Sequence, residues 1–327
     1  MKIKILIISL FLSIVQLGLV FSDEFSYKGN YCDITAIYNP TSYPGEAYWI
    51  RLLIESHKKN KIYTISAKAS LVGEKTISES NFFSLNPKKK MKNVSEMLSG
   101  IPTWSTVKPQ EDTKIVITFS YNEEETETFE FPVIFAPKDY LEETLHLNES
   151  LTDLVSKPSP EKKEQSRVLN ETLQTIDSES VYDLTPFIKP TAGKRITSEF
   201  GQTRKLIYKN GKTAPSYHAG IDYGIPEGSE IISCAAGRVV MARWRIVTGY
   251  SVIVEHLPGL YSIYYHLSEL KCKEGDIVKK GQLIALSGKT GFATGPHLHW
   301  EVRLNGICLD PDSFIKNYTY QMTSEKQ

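Results

Sequence analysis

Seven histidines occur in the chain, and five of them, His218, His256, His266, His297 and His299, crowd into one stretch near its end. His297-Leu-His299 opens a run to Leu304 in which Leu298, Trp300, Val302 and Leu304 alternate with His297, His299, Glu301 and Arg303. A period of two is a strand, so the two imidazoles share one face about 7 Å apart and the apolar set, Trp300 included, packs inward. In His218-Ala-Gly-Ile-Asp222 an imidazole and a carboxylate can converge from a turn into a strand, and His266 ends the β-like run Leu260–His266. Each feature alone is weak, since exposed histidine pairs and simple His–Asp hydrogen bonds look the same. Together they offer two His and one Asp with a fourth position left for water, the donor set of a catalytic zinc. Zinc lowers the pKa of water and polarises a carbonyl, and two spare histidines can pass a proton to a leaving amine. That chemistry is amide hydrolysis. No glycine-rich phosphate loop is present.

The elements that must position these residues are β. From about Gly193 onward, short apolar runs alternate with glycine turns. Residues 23–136 also read as β, through runs at Tyr48–Ile54, Ile62–Leu71, Lys114–Tyr121 and Thr126–Ile134. Their spacing suggests an antiparallel, Ig-like sandwich. Between the two lies a polar connector, 137–188, in which Val168, Leu169, Leu173 and Ile176 fall near helical spacing over Glu161–Ile176. The runs Lys88–Lys90 and Glu123–Glu125 read as solvated loops.

The chain has 327 residues, with 38 basic and 38 acidic side chains. That length implies about two domains, and a zero net charge argues against a nucleic-acid partner. The zero is a cancellation. The connector carries 5 basic and 11 acidic residues, whereas 189–316 carries 17 and 11. We therefore expect salt-sensitive docking of the acidic connector on a cationic domain suited to an anionic polymer. Met1-Lys-Ile-Lys followed by an apolar run to Phe21 is a signal peptide, with cleavage expected after Ser22. Left uncleaved, the run would anchor the chain at a membrane. Cys32, Cys234, Cys272 and Cys308 have no C-x-x-C spacing, so a thiolate metal site is not expected, and their pairing stays open.

His218-x-x-x-Asp222, Tyr264-Tyr-His266 and Gly295-Pro-His-Leu-His299 match, in order and spacing, the lysostaphin/LytM-type zinc metallopeptidases. Ile196-Thr-Ser-Glu-Phe-Gly201, Ala235–Val240, Gly275–Gln282 and Ser287-Gly-Lys-Thr-Gly291 resemble that family's supporting strands and turns, so the similarity covers about 193–315. The resemblance implies an all-β groove on an antiparallel sheet. It implies zinc held by His218, Asp222 and His299, with His266 and His297 as the catalytic pair, and peptidoglycan stem or cross-link peptides as substrate. His256 sits where relatives carry a non-ligand histidine and reads as structural. Tyr264 and Tyr265 read as packing and groove wall. The implied division is a signal peptide (1–22), a β-sandwich (23–136), a helical connector (137–188), a zinc peptidase domain (189–316) and a tail (317–327). The expected location is the cell envelope, most simply the periplasm. A zinc-blocking Asn occurs in some relatives, and Asn148 and Asn170 are available for it. The other role found in the family is a non-catalytic scaffold that activates other wall hydrolases. The N-x-S/T sequons at Asn93, Asn148, Asn170 and Asn317 are within what chance gives.

Overall fold

The structure, a computed structural model, describes residues 22–57, 65–87, 94–121 and 125–316. The expected signal run through Phe21, the lysines 88–90, residues 123 and 124 of the acidic run, the sequons at Asn93 and Asn317, and the tail lie outside them. Among the described residues no helix is long and apolar enough to cross a membrane. The chain divides into two compact units, one ending at Pro137 and one spanning Lys138–Lys316.

The first unit is a β-sandwich. Its strands are β1 (Asp23–Lys28), β2 (Cys32–Tyr38), β3 (Thr41–Ser42), β4 (Ala47–Ser56), β5 (Ile65–Val72), β6 (Thr76–Asn81), β7 (Phe83–Ser84), β8 (Val94–Pro102), β9 (Lys114–Tyr121), β10 (Glu125–Pro132) and β11 (Ile134–Phe135). One sheet has the order β1-β2-β4-β8-β7 and the other β10-β9-β5-β6. In β9 the alternation is strict. Ile115, Ile117, Phe119 and Tyr121 are buried while their neighbours are half-buried. These side chains meet Ile34, Tyr38, Ile50 and Leu52 of the other sheet in one core, as period-two strands packed face to face require. All pairs in the two sheets are antiparallel, and the short β3–β11 pair is parallel.

The second unit begins with β12 (Glu142–His146), α1 (Glu149–Ser156) and α2 (Pro160–Gln174). It continues through β13 (Ile196–Ser198), β14 (Thr203–Ile207), β15 (Thr213–Tyr217), β16 (Ile221–Tyr223), β17 (Glu230–Ile232), β18 (Gly237–Arg245), β19 (Gly249–Leu257) and β20 (Leu260–Leu270). It ends with β21 (Ile277–Val278), β22 (Leu283–Ser287), β23 (Leu298–Leu304), β24 (Ile307–Leu309) and α3 (Ser313–Lys316). The main sheet runs β13-β16-β23-β20-β19-β18-β21, all antiparallel. A second, three-stranded sheet has the order β12-β14-β15, with β12 parallel to β14.

The stretch expected as a connector folds with the unit that follows it. Ser159 caps α2, Pro160 occupies its first turn, and Leu169 and Leu173 pack on Met241, Ile253, Tyr261 and Ile263 of the main sheet. The helix stops at Gln174 because Thr175 turns to an extended conformation. Ile176, expected on the same apolar stripe, is therefore exposed. Beyond the helix the chain stays pinned. Tyr182 N–H donates to His256 O (3.0 Å), Phe187 N–H to Phe314 O (3.1 Å) and Ile188 N–H to Cys234 O (2.9 Å).

Candidate metal centre and cleft

The site begins as a cross-strand row. In β16, β23 and β20 the register sets Asp222 opposite His299, and His299 opposite Tyr265. Strand neighbours of this kind lie within side-chain reach. Asp222 Oδ1 is 2.7 Å from His299 Nδ1 and 3.1 Å from His218 Nε2, and the two nitrogens are 3.1 Å apart. One ligand atom from each of these three residues lies within 4.8 Å of the others. Gly220 lets β16 lie this close to β23, because a Cβ there would meet Trp300 O at 2.2 Å. The apolar face of β23 is fully buried, as the alternation predicts, with Trp300 inside. The opposite face, with His299 and Glu301, is buried as well.

Each imidazole is fixed at its other nitrogen. His218 Nδ1 donates to Glu199 O (2.7 Å), since a carbonyl only accepts, and its Nε2 lone pair faces the site. His299 Nε2 donates to the buried Glu301 carboxylate (3.0 Å), leaving Nδ1 toward Asp222. Burial alone would lower the His299 imidazole, yet Asp222 and Glu301 on its two sides push it up to about 9. Burial works to raise Asp222, but His299 and His218 hold it well below the usual carboxylate range. Burial likewise works to raise Glu301, and Arg303 and His299 hold it near 2. Burial pulls His218 down.

His266 and His297 stand beside this trio, their rings 4.7 Å apart. His297 Nδ1 donates to Gly295 O (2.8 Å), and its Nε2 is 3.8 Å from Asp222 Oδ1. His266 Nδ1 donates to Thr290 O (2.8 Å). Burial, together with His297 and His299, pushes the His266 imidazole down to about 3. Plain alternation along β20 would send His266 to the side of Tyr264, away from His299. The pairing of β19 with β20 shifts register at this point, and His266 has a positive φ of 61°. A bulge of this kind re-aims a side chain, and a left-handed non-glycine residue costs about 1–3 kcal/mol. The sequence carries no sign of it.

The five residues line a cleft of about 800 Å³. Tyr265, read from sequence as packing or groove wall, stacks on His299 (ring centroids 5.7 Å, 5° between planes) and lines the cleft too. His256 lies elsewhere, buried against Ala236 O, Ser262 Oγ and Cys234 Sγ. Asn148 caps α1 through Leu151 N–H, Asn170 is exposed on α2, and neither lines the cleft. The four cysteines are free thiols. Sequence reasoning missed Arg204, whose Nη2 is 3.4 Å from Asp222 Oδ2, and Glu143, which takes Arg204 Nε at 3.1 Å. It placed Glu301 on the face of His299 but gave it no role. Its place two residues after His299, on the same face of an alternating strand, was the available signal.

Residues 216–311 match the profile of Peptidase family M23. A metalloprotease of Buchnera aphidicola is 36% identical over 138 residues, covering 42% of this chain and 35% of that protein. The peptidoglycan DD-endopeptidase ShyB of Vibrio cholerae is 40% identical over 119 residues, covering 36% of this chain and 27% of that protein. The chain thus spans only about a quarter to a third of these relatives' length. A crystal structure from Pseudomonas aeruginosa assigned to peptidase M23 shares the fold, with a TM-score of 0.54 at 20% identity over 85% of this chain and 95% of that one. Residues 216–311 of this chain are a peptidase family M23 domain.

Proposed function

We propose that this chain is an exported, zinc-dependent endopeptidase of the cell envelope that hydrolyses peptide bonds in peptidoglycan stems and cross-links. The observation that carries the reading is the cluster of two imidazole nitrogens and one carboxylate oxygen in the cleft, each aimed inward because its residue is tied down elsewhere. Two nitrogens and one oxygen, with a side open to the cleft, are a donor set zinc accepts. His218, Asp222 and His299 would hold the ion. When bound, zinc supplies a Lewis acid that polarises a peptide carbonyl and makes water a nucleophile at neutral pH.

The remaining steps belong to side chains. His266, neutral at pH 7 and with Nδ1 occupied by Thr290 O, presents Nε2 as an acceptor that orients water. His297, fixed through Gly295 O, carries the proton toward the leaving amine. Tyr265 walls the site behind His299. The peptidoglycan substrate rests on the name of the Vibrio relative, and the five residues line a cleft of about 800 Å³ in which a peptide would have to lie. Export rests on the apolar N-terminal run.

The test is a zinc titration and a muropeptide digest of the full chain. It should bind about one zinc and release cleaved peptides. His299→Ala should abolish metal binding. His297→Ala and His266→Ala should keep zinc and lose turnover by about 10²–10⁴. Zinc bound without cleavage by the unaltered chain would refute the enzyme reading. Rescue of a deletion phenotype by the His266→Ala, His297→Ala double variant would favour a scaffold.

A further inference from the structure

We propose that Glu143 and Arg204 form a positioning pair for Asp222, so that a strand from outside the family-matching residues belongs to the metal centre. The inference rests on the zinc-site reading above. Its starting point is register: β12 pairs in parallel with β14, and Glu143 lies opposite Arg204. Alternation along this strand turns Glu143, Leu145 and, just beyond it, Leu147 toward the cleft, which all three line.

The guanidinium of Arg204 makes three contacts at once. Its Nε donates to Glu143 Oε2 (3.1 Å), and its Nη2 donates to Ser198 Oγ and reaches Asp222 Oδ2 (3.4 Å). Only about a seventh of its side chain is exposed. The two oxygens of Asp222 therefore have divided tasks. Oδ2 faces the arginine, and Oδ1 alone meets His218 and His299. A carboxylate free to rotate about its last bond would offer either oxygen to a cation. The rigid fork of an arginine fixes that rotation in a way the single ammonium of lysine does not.

Glu143 has a second task. A lone guanidinium next to a divalent cation would repel it, and the carboxylate of Glu143 offsets that charge. Removing Glu143 frees one anchor of Arg204 and leaves its charge uncompensated, so both effects weaken metal binding. Replacing Arg204 by Lys keeps the charge and loses the fork. Partners behind a metal ligand typically alter affinity about 10–100-fold.

The experiment measures zinc affinity of the full chain by competition with a chromophoric chelator, beside the melting temperature of the metal-free protein. Glu143→Gln and Arg204→Lys should each weaken zinc about 10–100-fold and leave the metal-free melt in place. Glu142→Gln, exposed on the same strand, should change neither. Equal zinc affinity in Glu143→Gln, Arg204→Lys and the unaltered chain overturns the positioning role while leaving the metal centre standing. Melting temperatures that fall in step with affinity overturn it in favour of a purely structural pair. An unaltered chain that binds no zinc overturns the metal centre and this inference together.

Discussion

His256 and His266 are buried histidines on neighbouring strands, and their surroundings give them different work. His266 faces the cleft across His297, whereas His256 is closed off by Ala236, Ser262 and the ring of Phe187. Burial pushes His256 down to about 4 from its ordinary 6.5. An unfolded chain takes up a proton at this residue near pH 6.5, and the folded chain resists until about pH 4. Above pH 6.5 the two states are alike here, so stability is full there and falls as the pH drops through this window. The loss amounts to about 3 kcal/mol at the acid end. Thermal melts of the metal-free chain between pH 7 and pH 4 should show it. His256→Gln should flatten the slope by about one proton, even if it lowers stability at every pH. A slope unchanged by that substitution would mean that another group drives the acid limb.

At the scale of elements, what the sequence announced and what it concealed have separate physical causes. β23 was legible because its alternation is unbroken, so His297, His299 and Glu301 could be placed on one face before any coordinates. β20 was legible as a strand but not in its aim, because the bulge at His266 depends on the pairing with β19 and leaves no mark on residue order. β12 escaped notice entirely. Five residues that pair in parallel with a distant strand carry no local turn signal, and their position comes from β14. For α2 the apolar stripe was visible, but its partner was not. Charge suggested that docking would be electrostatic, yet the helix face is held by Leu169 and Leu173 on the sheet. Of the ion pairs nearby, Asp177–Arg238 (3.2 Å) has both side chains more than a third exposed, whereas the Asp183 carboxylate of Asp183–Lys280 (3.3 Å) is largely buried. Exposed pairs contribute about 0–1 kcal/mol each, whereas a fully buried Leu truncated to Ala costs about 2–5 kcal/mol. Leu173→Ala should therefore destabilise the second unit by more than a change from low to high salt does. Denaturant melts at two salt concentrations compare the two effects directly. A salt effect larger than the Leu173→Ala effect would restore the electrostatic account.

At the scale of the whole chain, the boundary matters more than the charge. Read along the sequence, a −6 segment precedes a +6 domain. The folded unit Lys138–Lys316 includes both and carries 22 basic and 22 acidic residues, so the two charges cancel within one unit. A fragment starting at residue 193, where the family resemblance begins, would lose several things together. It would lose β12 from the edge of β14, and with it Glu143 beside Arg204. It would bare Met241, Ile253 and Ile263, which α2 covers. It would also leave Glu255, buried in the sheet, without the hydroxyl of Ser180 at 3.0 Å. Exposed apolar sheet and a less satisfied buried carboxylate both favour unfolding or self-association. Residues 138–327 should melt in one cooperative step and bind zinc like the full chain. Residues 193–327 should melt lower, associate on a sizing column and bind zinc more weakly. Since β12 also lines the cleft, any cleavage the shorter fragment retains should lose selectivity among muropeptides, which parallel digests of both fragments read by mass spectrometry. Equal melting temperatures and equal zinc affinity in the two fragments would show instead that the M23 domain is self-sufficient and that the residues before it are an appendage.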